Sequence, residues 1–344
     1  MGATPRVLCP PLAADVGACI LPLAFVTGAT GFLGLNLVER LAAREWDIVA
    51  YHRATSDLAR LKKFPVRLAA GDIADRAALV AGIPAGADVV FHVAGNTAMW
   101  SRRRQEQWHD NVAGTEAVLA AARERGAKRF VHVSTVSVYG HTGTISEDSP
   151  QLGAASSMNY ARSKSAAEAA VKRAAAEGFA AVIVNPGHIV GRYDTRNWGR
   201  MIRMVQRGKV PGVPPGGGSF CHAAAVAEAL IAAAERGRVG RNYLLGGADA
   251  SFLEVFRIAG KLTGKRVPKR AMPAFAIRLY ARLLTGIAAI TGREPDITPD
   301  IAEIITHYPR IVCERAIREL GYRPATLEAM LEDAYQWMKE EGLL

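Results

Sequence analysis

The stretch Phe25-Val26-Thr27-Gly28-Ala29-Thr30-Gly31-Phe32-Leu33-Gly34 constrains this chain more than any other. An apolar run from Leu21 to Val26 stops at three glycines spaced G-x-x-G-x-x-G. Leu35, Leu37, Val38 and Leu41 then recur at helical spacing. The pattern predicts a buried strand, a tight turn and the start of a helix. Free backbone N–H groups and the positive end of the helix dipole at such a turn suit an anion. Gly28 permits the turn, Gly31 lets a pyrophosphate approach, and Gly34 lets helix and strand pack closely. An ordinary strand-to-helix loop is the bland alternative, and the flanking pattern favours dinucleotide binding over it.

The same rhythm continues along the chain. Strands are expected at Asp47–His52, Val66–Ala70, Asp88–Val93, Phe130–Val133 and Ala181–Val184. Between them, Ala77–Ala81, Asn111–Arg125 and the alanine-rich Tyr160–Glu177 read as helices, the last two stopped by Gly126 and Gly178. Strand and helix alternate six times without a two-residue hairpin signal. The expected fold is therefore α/β, a Rossmann-type doubly wound parallel sheet. After about residue 188 the pattern turns mostly helical, with one more strand at Tyr243-Leu244-Leu245, while Pro211 to Gly218 reads as a loop. This divides the chain into a loose extension (1–20), a nucleotide-binding domain (21–190) and a smaller, mainly helical substrate lobe (191–344). Some strand and helix of that lobe is expected to return to the main sheet.

Composition narrows the partners. A net charge of +11 hints at anionic ligands, but it looks diffuse, with one tight cluster at Arg102-Arg103-Arg104 and no interleaved aromatics. Nucleic-acid binding is not expected. Four cysteines (Cys9, Cys19, Cys221, Cys313) show no C-x-x-C and no histidine at metal spacing, so no metal is expected and the thiols read as free in a reducing compartment. No 18-residue window is uninterruptedly apolar, and residues 1–20 lack a signal-peptide pattern, which together point to the cytoplasm.

Where the second strand ends, an acid would hold a ribose 2′-hydroxyl; this chain has Tyr51-His52-Arg53, followed by Arg60, Lys62 and Lys63. A guanidinium there suits a 2′-phosphate, so NADP(H) is favoured and NAD(H) remains possible. Asp72 either caps the next segment or accepts from the adenine amino group. Further on, Tyr160 and Lys164 stand four apart on one helix face, where a cation beside a phenol can draw its pKa toward neutrality. Ser134-Thr135, at the end of the fifth strand, brings a hydroxyl to the same sheet edge.

Taken together, these motifs resemble an extended short-chain dehydrogenase/reductase. The matching stretches are Thr27–Gly34, Asp88–Gly95, Asn111-Val112-Ala113-Gly114-Thr115, Val133–Gly140, Tyr160–Lys164 and Asn185-Pro186-Gly187. Within that superfamily the chain is most similar to the dihydroflavonol-reductase and 3β-hydroxysteroid-dehydrogenase-like group. The resemblance implies that Tyr160 exchanges a proton, Lys164 tunes it and binds the nicotinamide ribose, Thr135 orients the carbonyl, and Asn111 supports the site. It implies cofactor contacts at Gly28, Thr30, Gly31, Phe32, Leu33, Gly34, Arg53, Asp72, Ile73, Val93, Ala94, Gly95, Val133, Tyr160, Lys164, Pro186, Gly187 and His188. The substrate would meet Asn96, Met99, Trp100, Thr135, Asn159, His188 and Trp198, a set that suits an apolar carbonyl compound. A homodimer through the helices near Asn111 and Tyr160 is also implied.

Two departures from the family pattern bear on function. His222-Ala223-Ala224-Ala225-Val226-Ala227 stands where the superfamily commonly has His-Val-Asp-Asp-Val-Ala, and Val136-Ser137 follow Thr135 where sugar dehydratases carry Asp-Glu. The expected reaction is reduction of a ketone or aldehyde, or its reverse. The alternatives are a nucleotide-sugar epimerase with bound NAD and a non-catalytic nucleotide-binding scaffold. Ala271–Thr291 reads as a helix of the lobe core, with contact to a membrane or a lipid-like substrate as the lesser reading.

Overall fold

Most expected strands of the first half are too apolar for a solvated face and are buried on both sides, the exception being the edge strand at Val66–Ala70, where no residue is buried. The computed structural model describes residues 21–344; the extension 1–20 lies outside the described residues. The first half runs β1 (Leu23–Thr27), α1 (Phe32–Ala42), β2 (Asp47–His52), β3 (Val66–Ala70), α2 (Arg76–Gly82), β4 (Val89–His92) and α3 (Arg104–Trp108). A π-helical turn, His109–Ala113, joins α3 to α4 (Gly114–Glu124), which leads into β5 (Phe130–Val133), β6 (Thr144–Ile145), α5 (Asn159–Ala176) and β7 (Ala181–Pro186). The helix expected from Asn111 therefore begins earlier, at Arg104. Its polar first turns lack the apolar period that would have announced them.

The second half holds β8 (His188–Val190), α6 (Trp198–Gln206), β9 (Gly217–His222), α7 (Ala223–Arg236), β10 (Asn242–Leu245) and β11 (Ala248–Ser251). It ends with α8 (Phe252–Thr263), α9 (Ala274–Thr291), α10 (Pro299–Ile305), β12 (Arg310–Ile311), α11 (Glu314–Leu320) and α12 (Leu327–Glu340). Seven parallel strands form the main sheet in the order β10-β7-β5-β4-β1-β2-β3. Helices α1, α7 and α11 pack on one face, and α2, α4 and α5 on the other. Leu37, Val38 and Leu41 of α1 are fully buried, each contributing roughly 1.5–3 kcal/mol as an upper bound.

Two small sheets were not expected. β11-β9-β8 forms one, and β12 pairs with β6 in the other. Gly217 and Gly218, read above as loop, begin β9 because a Cβ on Gly217 would meet the Ala250 carbonyl of the neighbouring strand at 2.3 Å. The lobe core gathers α6, α8, α12 and β9 around Phe220, Phe252 and Trp337. α9 is not part of that core: Ile277, Ala281 and Ala288 alone are buried, while Phe275, Leu279, Tyr280, Leu283, Ile287 and Ile290 face outward.

Candidate active site

At the turn after β1, Gly28 has φ +70°, the left-handed region that favours glycine. A Cβ on Gly34 would lie 2.0 Å from the Gly28 carbonyl oxygen, so helix and turn touch with no room for a side chain. The Gly31 N–H donates to Gly28 O at 2.9 Å, closing the turn, and among the described residues no side chain caps the start of α1. Its first N–H groups are thus left for a ligand. A pyrophosphate fits this cradle.

Beyond β4, the Ala94 N–H donates to Thr27 Oγ1 at 3.2 Å, which holds the Val93-Ala94-Gly95 backbone beside the glycine turn. Beneath it His92 is fully buried, bonded through Nδ1 to Thr27 Oγ1 (2.8 Å) and through Nε2 to Thr115 Oγ1 (3.0 Å). Burial, and then the nearby Lys164 cation, pull its pKa to about 3, so the ring is a neutral strut between β1, β4 and α4.

The chemistry gathers at the carboxyl end of β5. Tyr160 and Lys164 open α5, and the Thr135 hydroxyl lies beside the Tyr160 phenol. Burial raises the phenol's pKa, with Thr135 pulling it partly back. The expected lowering by Lys164 does not appear in the protein alone, because Lys164 Nζ donates to the Val133 carbonyl at 2.7 Å instead. Burial lowers that lysine to about 8, and Glu168 opposes the shift. Ser134, the other hydroxyl at this edge, donates to the buried Glu168 Oε2 at 2.8 Å, while Thr135 Oγ1 accepts from the Ser137 N–H at 3.2 Å and donates to Ser137 Oγ at 3.3 Å, a long bond.

Sequence reasoning missed Glu168, one turn beyond Lys164. Its buried carboxylate accepts from Ser134, Gln151, Asn185 and Asn242, and pairs with Lys172 at 3.1 Å. Burial alone would raise its pKa, but Lys172 and the amide donors together hold it below the usual range. Asn185 also donates to the Thr135 carbonyl at 3.1 Å, so β5, α5, β7 and β10 are tied at one point. The signal was the spacing Tyr160, Lys164, Glu168, Lys172, four residues apart throughout.

Asn111 lies in the π turn, donating to Asn96 O (3.0 Å) and Ser163 Oγ (2.9 Å) and accepting from the Asn96 N–H (2.7 Å). It fixes the segment that leaves β4. The Asn96 side chain is bound to Asp110 and the Ala98 N–H. The Asn159 amide is held by Trp108 Nε1 (2.8 Å) and Gln107 Oε1 (2.6 Å). Both asparagines are thus spent on building the site. Met99 and Trp100 are part-buried beside them, with the Arg102 guanidinium 5.5 Å from the Trp100 ring.

His188 is packed among Phe220, Trp198 and Phe252, with ring centroids 5.2–5.7 Å away, and burial lowers its pKa to about 4. Trp198 belongs to the same aromatic cluster. Pro186 ends β7, and at Gly187 a Cβ would meet the Ser219 carbonyl at 2.5 Å.

At the end of β2, Arg53 is exposed, while Arg60 and Lys63 are drawn off by Glu341 and are not part of this edge. Asp72 Oδ1 accepts from the Ala74 N–H at 2.8 Å and closes a local turn; α2 is capped by Asp75 instead. Ile73 packs on Gly114, where a Cβ would meet it at 2.8 Å. Among the described residues no cluster of metal-ligating side chains occurs.

Residues 24–246 match the model of the NAD dependent epimerase/dehydratase family. The chain belongs to that family. It is an enzyme of the extended short-chain dehydrogenase/reductase type with a nicotinamide cofactor. Among family relatives, sterol demethylase protein B of Methylococcus capsulatus is 31% identical over 332 residues, covering 93% of this chain and 99% of its own. A 4-hydroxy-2-methyl-3-oxo-4-farnesyl-3,4-dihydroquinoline-1-oxide ketoreductase of Stigmatella aurantiaca is 34% identical over 307 residues, covering 87% and 91%. The crystal structure of gox2253 superposes with a TM-score of 0.82 at 28% identity, covering 94% and 99%.

Proposed function

We propose that this chain is an NADP(H)-dependent oxidoreductase that reduces a ketone or aldehyde on a largely apolar molecule, or runs the reverse oxidation. The observation that carries the reading is the meeting of the Thr135 hydroxyl and the Tyr160 phenol at the carboxyl edge of β5, with Lys164 buried behind them. The glycine turn and the N-terminus of α1 would hold the pyrophosphate, Arg53 the 2′-phosphate, and Lys164 the nicotinamide ribose. The dinucleotide, when bound, supplies or takes the hydride.

The rest is done by the chain's own groups. Thr135 donates a hydrogen bond to the carbonyl oxygen and fixes its direction. Tyr160 passes its phenolic proton to that oxygen, and the Lys164 cation stabilises the phenolate left behind. Val136-Ser137 offer no carboxylate for dehydration. Relatives named for a sterol, a farnesyl quinoline oxide and a 3β-hydroxysteroid support an apolar substrate.

Titration of the purified protein with NADPH and NADH, followed by nicotinamide fluorescence, tests the reading. The expected result is about ten- to a hundredfold tighter NADPH, lost in Arg53→Gln. Equal affinities, or protein that arrives loaded with NAD, would overturn the NADP(H) reading, and the latter would favour an epimerase. Tyr160→Phe should cost about 10²–10⁴ in turnover.

A further inference from the structure

We propose that α9 is a peripheral membrane anchor, seating its bare apolar face in the headgroup layer of an anionic bilayer. Placed at about 100° per residue, Phe275, Leu279, Ile290, Leu283, Ile287 and Tyr280 fall within an arc of roughly 140°. All six are exposed, Ile290 by 89% and Phe275 by 72%. Arg278 and Arg282 stand at the edge of that arc, and the helix carries no acidic residue. Such an apolar arc flanked by cations is the pattern of a helix lying in the membrane interface.

Charge identifies the occupant. From residue 255 to 293 the chain has nine basic residues and no acidic one, so most of the net charge of +11 resides in this stretch. These are Arg257, Lys261, Lys265, Arg266, Lys269, Arg270, Arg278, Arg282 and Arg293, all exposed. Among the described residues none of them forms an ion pair; the ion pairs lie elsewhere. The charge that looked diffuse is therefore concentrated in α8, α9 and the segment between them, and Arg278 and Arg282 stand on the bare helix itself. A second copy seated symmetrically on that face would bring these like charges together, whereas phosphodiester headgroups would neutralise them.

By length and composition α9 is apolar enough to cross a bilayer, with a mean hydropathy of 1.4 over 18 residues. Its inner side instead packs through Ile277 and Ala281 on Ala302 of α10, with Met272, Ile297 and Ile305 around them. A helix covered along one side by its own fold lies on a surface.

Its C-terminal end rests on the segment that leaves β4, where Arg102 Nη2 donates to the Ala289 carbonyl at 3.0 Å. An apolar molecule dissolved in the bilayer would reach the neighbourhood of Trp100 and Met99 from there. The docking itself does not depend on the reductase reading.

The test is flotation of the full chain with phosphatidylcholine vesicles that contain or lack phosphatidylglycerol, at low and high salt. Binding should require phosphatidylglycerol and weaken with salt. Arg278→Gln with Arg282→Gln should weaken it by about fivefold per residue. Leu279→Ser, Leu283→Ser and Ile287→Ser combined should abolish it while leaving the melting temperature and NADPH affinity unchanged. Absence of binding by the parent chain overturns the proposal, as does binding unchanged in both variants. A concentration-dependent dimer lost in the triple variant, without vesicle binding, assigns the face to a second copy. Binding that survives high salt and alkaline carbonate marks a spanning helix and overturns the peripheral reading.

Discussion

Replacing Glu168 by glutamine tests how a buried lysine stays charged at the centre of the site. Lys164 and Glu168 are one turn apart on α5, a spacing that puts Cβ atoms about 5–6 Å apart. Charges at that same spacing of about 6 Å and an effective dielectric near 20 interact by about 2.8 kcal/mol, or roughly two pH units, an upper figure because Lys164 Nζ reaches to the Val133 carbonyl and forms no ion pair with Glu168. Lys164 has a pKa of about 8, lowered by burial and held up by Glu168. Without the carboxylate's charge it should fall toward ~6, so most of the lysine would be neutral at pH 7.

The alkaline limb of kcat/KM, where the charged lysine is lost, should move toward acid by the same amount. The assay is the pH profile of carbonyl reduction, run beside Glu168→Asp, which keeps the charge and should keep the limb. Weaker hydrogen bonds from Ser134, Asn185, Asn242 and Gln151 should also cost roughly 2–4 kcal/mol of stability, so the profile belongs well below the melting temperature. A folded Glu168→Gln enzyme with the parent's alkaline limb would refute the coupling.

Gly34→Ala forces a Cβ onto the Gly28 carbonyl at 2.0 Å; it should destabilise by about 1–3 kcal/mol and abolish NADPH binding, seen by thermal melts and fluorescence titration. Because the folded pKa of Lys164 is depressed to about 8, the unfolded chain holds the extra proton up to about 10.4. The buried charge therefore costs stability fully below pH ~8, and the cost fades as pH rises through that window. Lys164→Met should flatten the rise, which denaturant titrations at about pH 7.5 and pH 9.5 would detect. His188→Phe keeps a neutral aromatic ring among Phe220, Trp198 and Phe252. It should leave NADPH affinity within about twofold, and a large loss in titration would show that the imidazole does more than pack.

Much of the main sheet was legible because its strands are continuous apolar runs punctuated by glycine. Tyr160 and Lys164 were legible because a helix converts a spacing of four into adjacency. Glu168 stayed hidden because a carboxylate in an alanine-rich helix reads as surface until the amides of Asn185 and Asn242, on two other strands, arrive to bury it. Asn96 and Asn159 carried the right residue type for substrate contact, yet Asp110, Gln107 and Trp108 occupy their amides. Strands β9 and β11 are rich in Gly, Ser and Ala, so pairing defines them and local preference does not, and β8 has only three residues in which to show its own. The exposure of α9 escaped because periodicity reveals an apolar face without revealing what lies against it.

The π turn at His109–Ala113 fits one more residue into its hydrogen-bonded loop than an α-helix would. α3 is pinned on its far side by Asn159, and α4 by the sheet-facing core around Val118 and Leu119. Removing that extra residue would let α3 and α4 run on as one α-helix, and Asn111 would leave the turn that aims it at Asn96 and Ser163. The stretch from Gln107 to Thr115 is therefore constrained in its count as well as in its bonded side chains, and an insertion or deletion there should disable the site while Thr135, Tyr160 and Lys164 are all still encoded.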